Sequence, residues 1–168
     1  EAGQKKALEQ LENFQIEGMV VIGGDGSFRG AQALNKLGFT TVGIPATIDN
    51  DIGCTDFSVG FDTAVNTVLD AINKIRDTAS SHDRVYVVEV MGKNSGFIAL
   101  YSGLSGGADA ILIPEIKFDL ESVVKRIGEI NRKGREYSIV LVAEGLFGDP
   151  ISGRFIAESS AFKVGTYI

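Results

Sequence analysis

Short apolar runs rich in β-branched residues alternate with longer stretches in which apolar side chains return every three or four positions, and the two patterns swap places along the whole chain. The first pattern predicts buried strands and the second amphipathic helices. Residues 2–14 place Leu8, Leu11 and Phe14 at helical spacing among Lys, Glu and Gln. A strand is expected over 19–22. The helix that follows its glycine turn should run to about Lys36 and stop at Gly38, and a second strand over 40–44 should end at Pro45. From 61 to 77, Ala64, Val65, Val68, Leu69, Ile72 and Ile75 form one apolar helix face. Residues 85–90 read as a strand, 97–103 as a helix kept short by Gly106-Gly107, and 110–113 as a strand capped by Pro114-Glu115. Asp119 suits the N-cap of a helix through Lys133 that Gly134 ends, 138–143 is a strand running into Glu144-Gly145, and the residues from 157 onward are weakly helical.

Strands that are continuous apolar runs, each followed by a helix, belong to a parallel sheet covered on both faces. The fold class expected is therefore α/β, with residues 53–60 as the connection between two lobes. In such sheets ligands bind beyond the carboxyl ends of the strands. All five strands end in binding-type or reactive groups there: Asp25-Gly26-Ser27, Thr47-Asp49-Asp51, Met91-Gly92-Lys93, Glu115 and Glu144.

Composition narrows the classes. The 168 residues can bury a real core, and a net charge of −6 with no Lys/Arg cluster argues against a nucleic-acid binder. A single cysteine, Cys54, excludes an internal disulfide framework and fits a reducing compartment. No apolar stretch reaches membrane-spanning length, so a cytoplasmic location is expected. The chain begins at Glu1 without a methionine, and a longer parent protein is expected.

The apolar run Val20-Val21-Ile22 stops at Gly23-Gly24-Asp25-Gly26-Ser27 before a helix. Strand, glycine turn and helix let backbone N–H groups approach a phosphate. An acid in that turn fits if a divalent cation stands between carboxylate and phosphate. The spacing matches neither the dinucleotide fingerprint nor a P-loop, so a plain βα turn is the alternative. In Thr47-Ile48-Asp49-Asn50-Asp51, two carboxylates two residues apart share a side if the segment is extended; otherwise Asp-Asn-Asp makes an Asx-type turn. Phosphoryl transfer needs a metal, a phosphate cradle, an acceptor for a hydroxyl proton and cations on the moving charge. Asp25, Gly24 with Gly26, Asp49, and Arg84 or Lys93 supply these in turn, although either cation can also be read as a solvated charge. Glu144 ends a buried strand, where an unpaired acid is costly, and is expected to face a cleft. His82, in Ser80-Ser81-His82-Asp83, reads as part of a solvated turn, and Cys54 as a small loop or packing residue.

Gly23-Gly24-Asp25-Gly26-Ser27, Pro45-Ala46-Thr47-Ile48-Asp49-Asn50-Asp51, Gly60-Phe61-Asp62-Thr63-Ala64, Glu89-Val90-Met91-Gly92-Lys93 and Pro114-Glu115 together resemble the 6-phosphofructokinases in order and spacing, over roughly residues 5–145. The resemblance implies a two-lobed α/β enzyme, usually a homotetramer and allosteric. Such an enzyme transfers a phosphoryl group from ATP to the 1-hydroxyl of fructose 6-phosphate with Mg²⁺. The implied lobes are 1–60 for nucleotide and 61–156 for sugar phosphate, with a helix over 157–168 returning to the first. Asp25 is similar to the Mg²⁺-linked acid, and Gly24, Gly26 and Ser27 to the ATP-phosphate contacts. Asp49 resembles the general base, with Thr47 and Asp51 beside it in the substrate loop and Lys93 in the place of the clamp on the transferred phosphoryl. Met91, Gly92 and Glu144 resemble sugar contacts, Arg84 the arginine that reaches a neighbouring subunit's sugar phosphate, and Glu115 an effector-site acid.

The pyrophosphate-dependent branch typically has Asp at position 26 and Lys at position 46, where this chain has Gly26 and Ala46, so ATP is the donor expected. That branch, a kinase sharing only the Gly-Gly-Asp-Gly turn, and a non-catalytic regulatory subunit are the rival readings. Two of the family's segments are missing here, an N-terminal Gly-Gly-Asp nucleotide loop and a His-x-Gln-Arg-Gly-Gly stretch. The chain is accordingly expected to join separate pieces near residues 149–157. Lys93 stands where arginine is usual, keeping the charge without the bidentate fork.

Overall fold

A computed structural model describes residues 2–79, 84–135 and 137–148. The predicted helix over 157–168, the junction near 149–157 and the turn with His82 lie outside the described residues. The described chain divides into two compact units. The first takes the residues up to Thr47 together with Asp51–Gly60; the second takes Ile48–Asn50 and continues from Phe61.

In the first unit the order is α1 (Ala2–Asn13), β1 (Gly18–Gly23), α2 (Asp25–Asn35) and β2 (Thr40–Pro45). The two strands pair in parallel from Gly18 opposite Thr40 to Gly23 opposite Pro45. One isolated parallel bridge, Ala46 to Val59, prolongs β2. Gly38, at φ 93°, ends the turn after α2 as its sequence position implied. Gly43 of β2 lies where an added Cβ would stand 3.0 Å from the Phe28 ring, so helix and sheet approach closely because that side chain is absent. On the opposite face Val20, Ile22, Val42 and Ile44 are 60%, 67%, 58% and 41% exposed. Paired in register, these four form an apolar patch that no described residue covers.

The second unit holds α3 (Phe61–Ala79), β3 (Val85–Val90), α4 (Phe97–Ser105), β4 (Ala110–Leu112), α5 (Leu120–Arg132) and β5 (Ser138–Ala143), followed by a 3₁₀ turn over Glu144–Gly148. Its sheet runs β3-β5-β4, parallel throughout. Alternation of side chains along β5 sends Ile139, Leu141 and Ala143 into one core with Phe61, Val65, Val68, Ile72, Ile98 and Ala99. Val140 and Val142 go into another with Leu112, Ile127 and Leu146. This sheet is covered on both faces, as expected of a doubly wound arrangement. Along the apolar stripe of α3, Val65, Val68 and Ile72 are buried, and Ala64, Leu69 and Ile75 are partly buried against the same core. Asp119 caps α5, its carboxylate accepting from the Ser122 hydroxyl and from the N–H groups of Ser122 and Glu121; the hydroxyl first, and the backbone donors with it, hold its pKa below the ordinary value. Helix α4 extends two residues past its predicted end, to Ser105, where the Gly106 N–H donates to the Ser102 carbonyl at 2.7 Å.

Central position makes β5 the most buried strand, and its first residue brings a polar atom with it. The Ser138 hydroxyl is fully buried and finds no hydrogen-bond partner among the described residues. An unpaired buried hydroxyl costs about 1–3 kcal/mol. Ser138→Ala removes it with little change in volume, and the expected result is a melting temperature raised by a few degrees in the whole protein. A lowered melting temperature in calorimetry would contradict this.

Candidate active site

Two sets of predicted site residues emerge, one in each unit. In the first unit, β1 ends at Gly23 and α2 begins at Asp25, with Gly24 as an extended N-cap. The three glycines of this turn are there for different reasons. A Cβ on Gly23 would lie 2.5 Å from the Ser27 hydroxyl oxygen, and one on Gly24 would lie 3.1 Å from the Thr47 Cβ. Both are needed for packing. A Cβ on Gly26 would meet no described residue within 4 Å, so packing among the described residues does not require glycine there. The Asp25 carboxylate sits in the first turn of α2, where the helix dipole favours negative charge. Arg29, four residues on, bonds both its oxygens, Nε to Oδ1 at 3.0 Å and a terminal nitrogen to Oδ2 at 2.9 Å.

Asp25 remains about one-third exposed. A single carboxylate oriented in this way, at a helix N-terminus, fits a Mg²⁺ ion, which keeps several waters and takes its other oxygens from substrate phosphates. Among the described residues no group of three or more His, Cys, Asp or Glu comes together, so a cage built from protein alone is not on offer.

The segment after β2 corrects one expectation. It is a turn at Ile48-Asp49, and Asn50 has φ 52°, so the chain is not extended and the two-residue alternation that would align Asp49 with Asp51 does not operate. Thr47 is fixed through its carbonyl, which accepts a hydrogen bond from the buried Ser58 hydroxyl. Within the second unit Ile48 packs against the larger core, and the Asp49 carbonyl accepts from the Ser95 hydroxyl at 2.7 Å.

The loop after β3 carries Met91, Gly92 and Lys93, and its conformation is demanding. Gly92 has φ 142° and Lys93 φ 55°, a left-handed geometry that costs a non-glycine residue about 1 kcal/mol or more. Glu144 compensates: its Oε1 accepts from the N–H of Gly92 at 3.0 Å and from that of Lys93. The acid is thus half-buried and satisfied by backbone donors, which the sequence did not reveal. Gly145 allows the approach, since a Cβ there would lie 2.5 Å from the Lys93 carbonyl oxygen. Glu115 Oε1 similarly accepts from the Gly96 N–H at 2.8 Å, at the start of α4. Met91 and Lys93 are exposed and Gly92 is buried.

Arg84 lies apart from these groups. It precedes β3, at the amino end of a strand whose carboxyl end leads to Met91 and Lys93; it is exposed, and its carbonyl accepts from the Ser138 N–H. A residue not anticipated is Glu89. It lies opposite Val142 in the register, near enough to the end of β5 for its carboxyl to feel the Glu144 carboxylate. Burial first, and the Glu144 carboxylate second, push the Glu89 carboxyl above its ordinary pKa.

The phosphofructokinase family model matches residues 1–166. The ATP-dependent 6-phosphofructokinase of Halalkalibacterium halodurans is 57% identical over 168 residues, covering 97% of this chain and 53% of that protein. The enzyme of the same description from Halothermothrix orenii is 56% identical, covering 100% of this chain and 51% of that protein. The chain therefore spans about half the length of the curated relatives it matches. Among solved structures, Pichia pastoris phosphofructokinase in the T-state superposes with a TM-score of 0.76 at 33% identity, over 85% of this chain and 18% of that one. A pyrophosphate-dependent phosphofructokinase from Marinobacter aquaeolei superposes with a TM-score of 0.67 at 25% identity, over 93% of this chain and 45% of that one.

The raised Glu89 pKa has a signed consequence. The folded state binds this proton more tightly than the unfolded state, so its contribution to stability is present at low pH and is lost as pH rises from the ordinary carboxyl range through the folded pKa. Glu89→Gln should raise the melting temperature at pH 7 and leave it nearly unchanged at about pH 4. Equal shifts at both values would show that ionisation is not the cause.

Proposed function

Because this chain belongs to the phosphofructokinase family, we propose that the protein transfers the γ-phosphoryl group of ATP to the 1-hydroxyl of fructose 6-phosphate, giving fructose 1,6-bisphosphate. The observation that carries this is the open space at Gly26. No described residue would meet a side chain at that position, and in this reading the room serves the phosphates of the nucleotide. The identity of 57% to a relative described as ATP-dependent supports the same donor.

In this reading Asp25 would hold a Mg²⁺ ion, and Gly24, Gly26 and Ser27 would offer backbone and hydroxyl donors to the ATP phosphates. The ion would neutralise charge on the phosphates. Asp49 accepts the proton of the 1-hydroxyl as that oxygen bonds to the γ-phosphorus and the bond to the β-bridging oxygen breaks, releasing ADP. Thr47 lies beside it in the substrate loop, and Asp51 binds substrate. Lys93 contributes a positive charge to the moving phosphoryl, as a point charge rather than a fork. Met91, Gly92 and Glu144 contact the sugar; Oε1 of Glu144 serves the loop, and Oε2 is the oxygen offered to a sugar hydroxyl. Arg84, at the other end of its strand, serves a neighbouring subunit's sugar phosphate in a homotetramer. Glu115 belongs to an effector site. No described helix is long and apolar enough to cross a membrane, and a glycolytic role in the cytoplasm is part of the proposal.

Two measurements test it in the whole protein. Asp49→Asn should lower kcat by about 10²-fold or more with little change in substrate affinity, as expected for a lost general base; near-parental kcat would refute the assignment. Gly26→Asp places an acid in the first turn of α2, where it is helix-compatible, so the variant should fold with an unchanged melting temperature. It should nevertheless lose ATP-dependent turnover by at least about tenfold, through repulsion of the nucleotide's phosphates. Assays supplying ATP or pyrophosphate alone identify the donor, and undiminished ATP use by Gly26→Asp would remove the nucleotide from that turn.

A further inference from the structure

The proposed base sits in an awkward stretch of backbone. Asn50, directly after Asp49, is a non-glycine residue at φ 52°, and the two residues before Asn50 form a turn with no regular secondary structure to hold them. Within the second unit the turn is fastened on one side by the Ile48 side chain, which packs against the core that includes Phe61, Val65 and Ile98. An apolar anchor fixes position better than rotation, because it is not directional. A directional restraint comes from Ser95, 46 residues along the chain.

Ser95 is 6% exposed, and its hydroxyl is used twice: it donates to the Asp49 carbonyl at 2.7 Å and accepts from the Phe97 N–H at 3.4 Å. The residue itself cannot drift. Its own N–H donates to the Gly92 carbonyl at 2.9 Å, and the next residue, Gly96, donates to Glu115. A Cβ on Gly92 would stand 2.6 Å from the Ser95 carbonyl oxygen, so the turn is closed tightly on itself. Ser95 thus belongs to the same rigid turn that carries Lys93, and its hydroxyl ties that turn to the backbone of Asp49.

We propose that Ser95 is a positioning residue for phosphoryl transfer, its hydroxyl setting the orientation of Asp49 relative to the turn that carries Lys93. This rests on the reading of Asp49 as the general base. A base must lie within hydrogen-bond reach of the proton it takes, and small displacements of a reacting group cost rate steeply.

The test is a double-mutant cycle on kcat in the whole protein. Ser95→Ala should lower kcat by about tenfold, with KM for either substrate changed by less than about twofold and the melting temperature held within about 2 °C. In the Asp49→Asn background the same substitution should change the residual kcat by less than about twofold, because the group it positions has gone. Ser95→Cys keeps nearly the same volume with a weaker donor and should give a smaller loss, which separates the hydrogen bond from a packing void. Parental kcat in Ser95→Ala, or equal losses in both backgrounds, would overturn the role of Ser95 while leaving Asp49 in place. Full activity in Asp49→Asn would instead overturn the reading on which the role depends.

Discussion

The Glu144 carboxylate gathers the N–H groups of Gly92 and Lys93, and the usefulness of the second unit to a ligand depends on that pair of bonds. A loop that places a lysine at φ 55° does not hold itself. Charge-assisted bonds from a carboxylate to backbone donors are among the stronger ones available, and they offset the backbone cost. The acid can act this way because β5 is buried along its whole length and delivers its next residue to a fixed point. Gly145 then lets the two segments touch. The buried strand sets the acid, and the acid sets the loop.

The first unit reaches a comparable result by different means. There the turn is shaped by missing side chains: Gly23 and Gly24 make room for Ser27 and Thr47, while a Cβ on Gly26 would meet no described residue within 4 Å. Asp25 is oriented by its own helix through Arg29. One turn therefore separates glycines required by the fold from a glycine available for function, a distinction that composition alone does not make.

Local pattern made much of this legible. The bounds of β3 and β5, the Asp119 cap and the apolar stripe of α3 all follow from continuous apolar runs, a period of 3.6 and cap chemistry within a few residues. What escaped were bonds between loops far apart in the sequence: Ser95 to Asp49, Glu144 to Gly92, and Glu115 to Gly96. A serine or glutamate in a polar loop leaves no periodic trace of its partner. The left-handed Asn50 escaped for a related reason, since asparagine only permits that conformation and its surroundings impose it. The open face of Val20, Ile22, Val42 and Ile44 could not be read either, because a strand's pattern shows which face is apolar and not what lies against it.

The bridge between Ala46 and Val59 closes residues 47–58 into a loop, with the Val59 N–H donating to the Pro45 carbonyl at its neck. The tip, around Gly53, Cys54 and Asp56, is exposed. The entropy of closing a flexible loop grows only with the logarithm of its length, by about 0.6 kcal/mol for each doubling. Neck and tip are thus under different constraints. Extra residues at the tip would add little to the closure cost and leave the neck's bonds intact, so loop length is free to vary while the residues next to β2 are not.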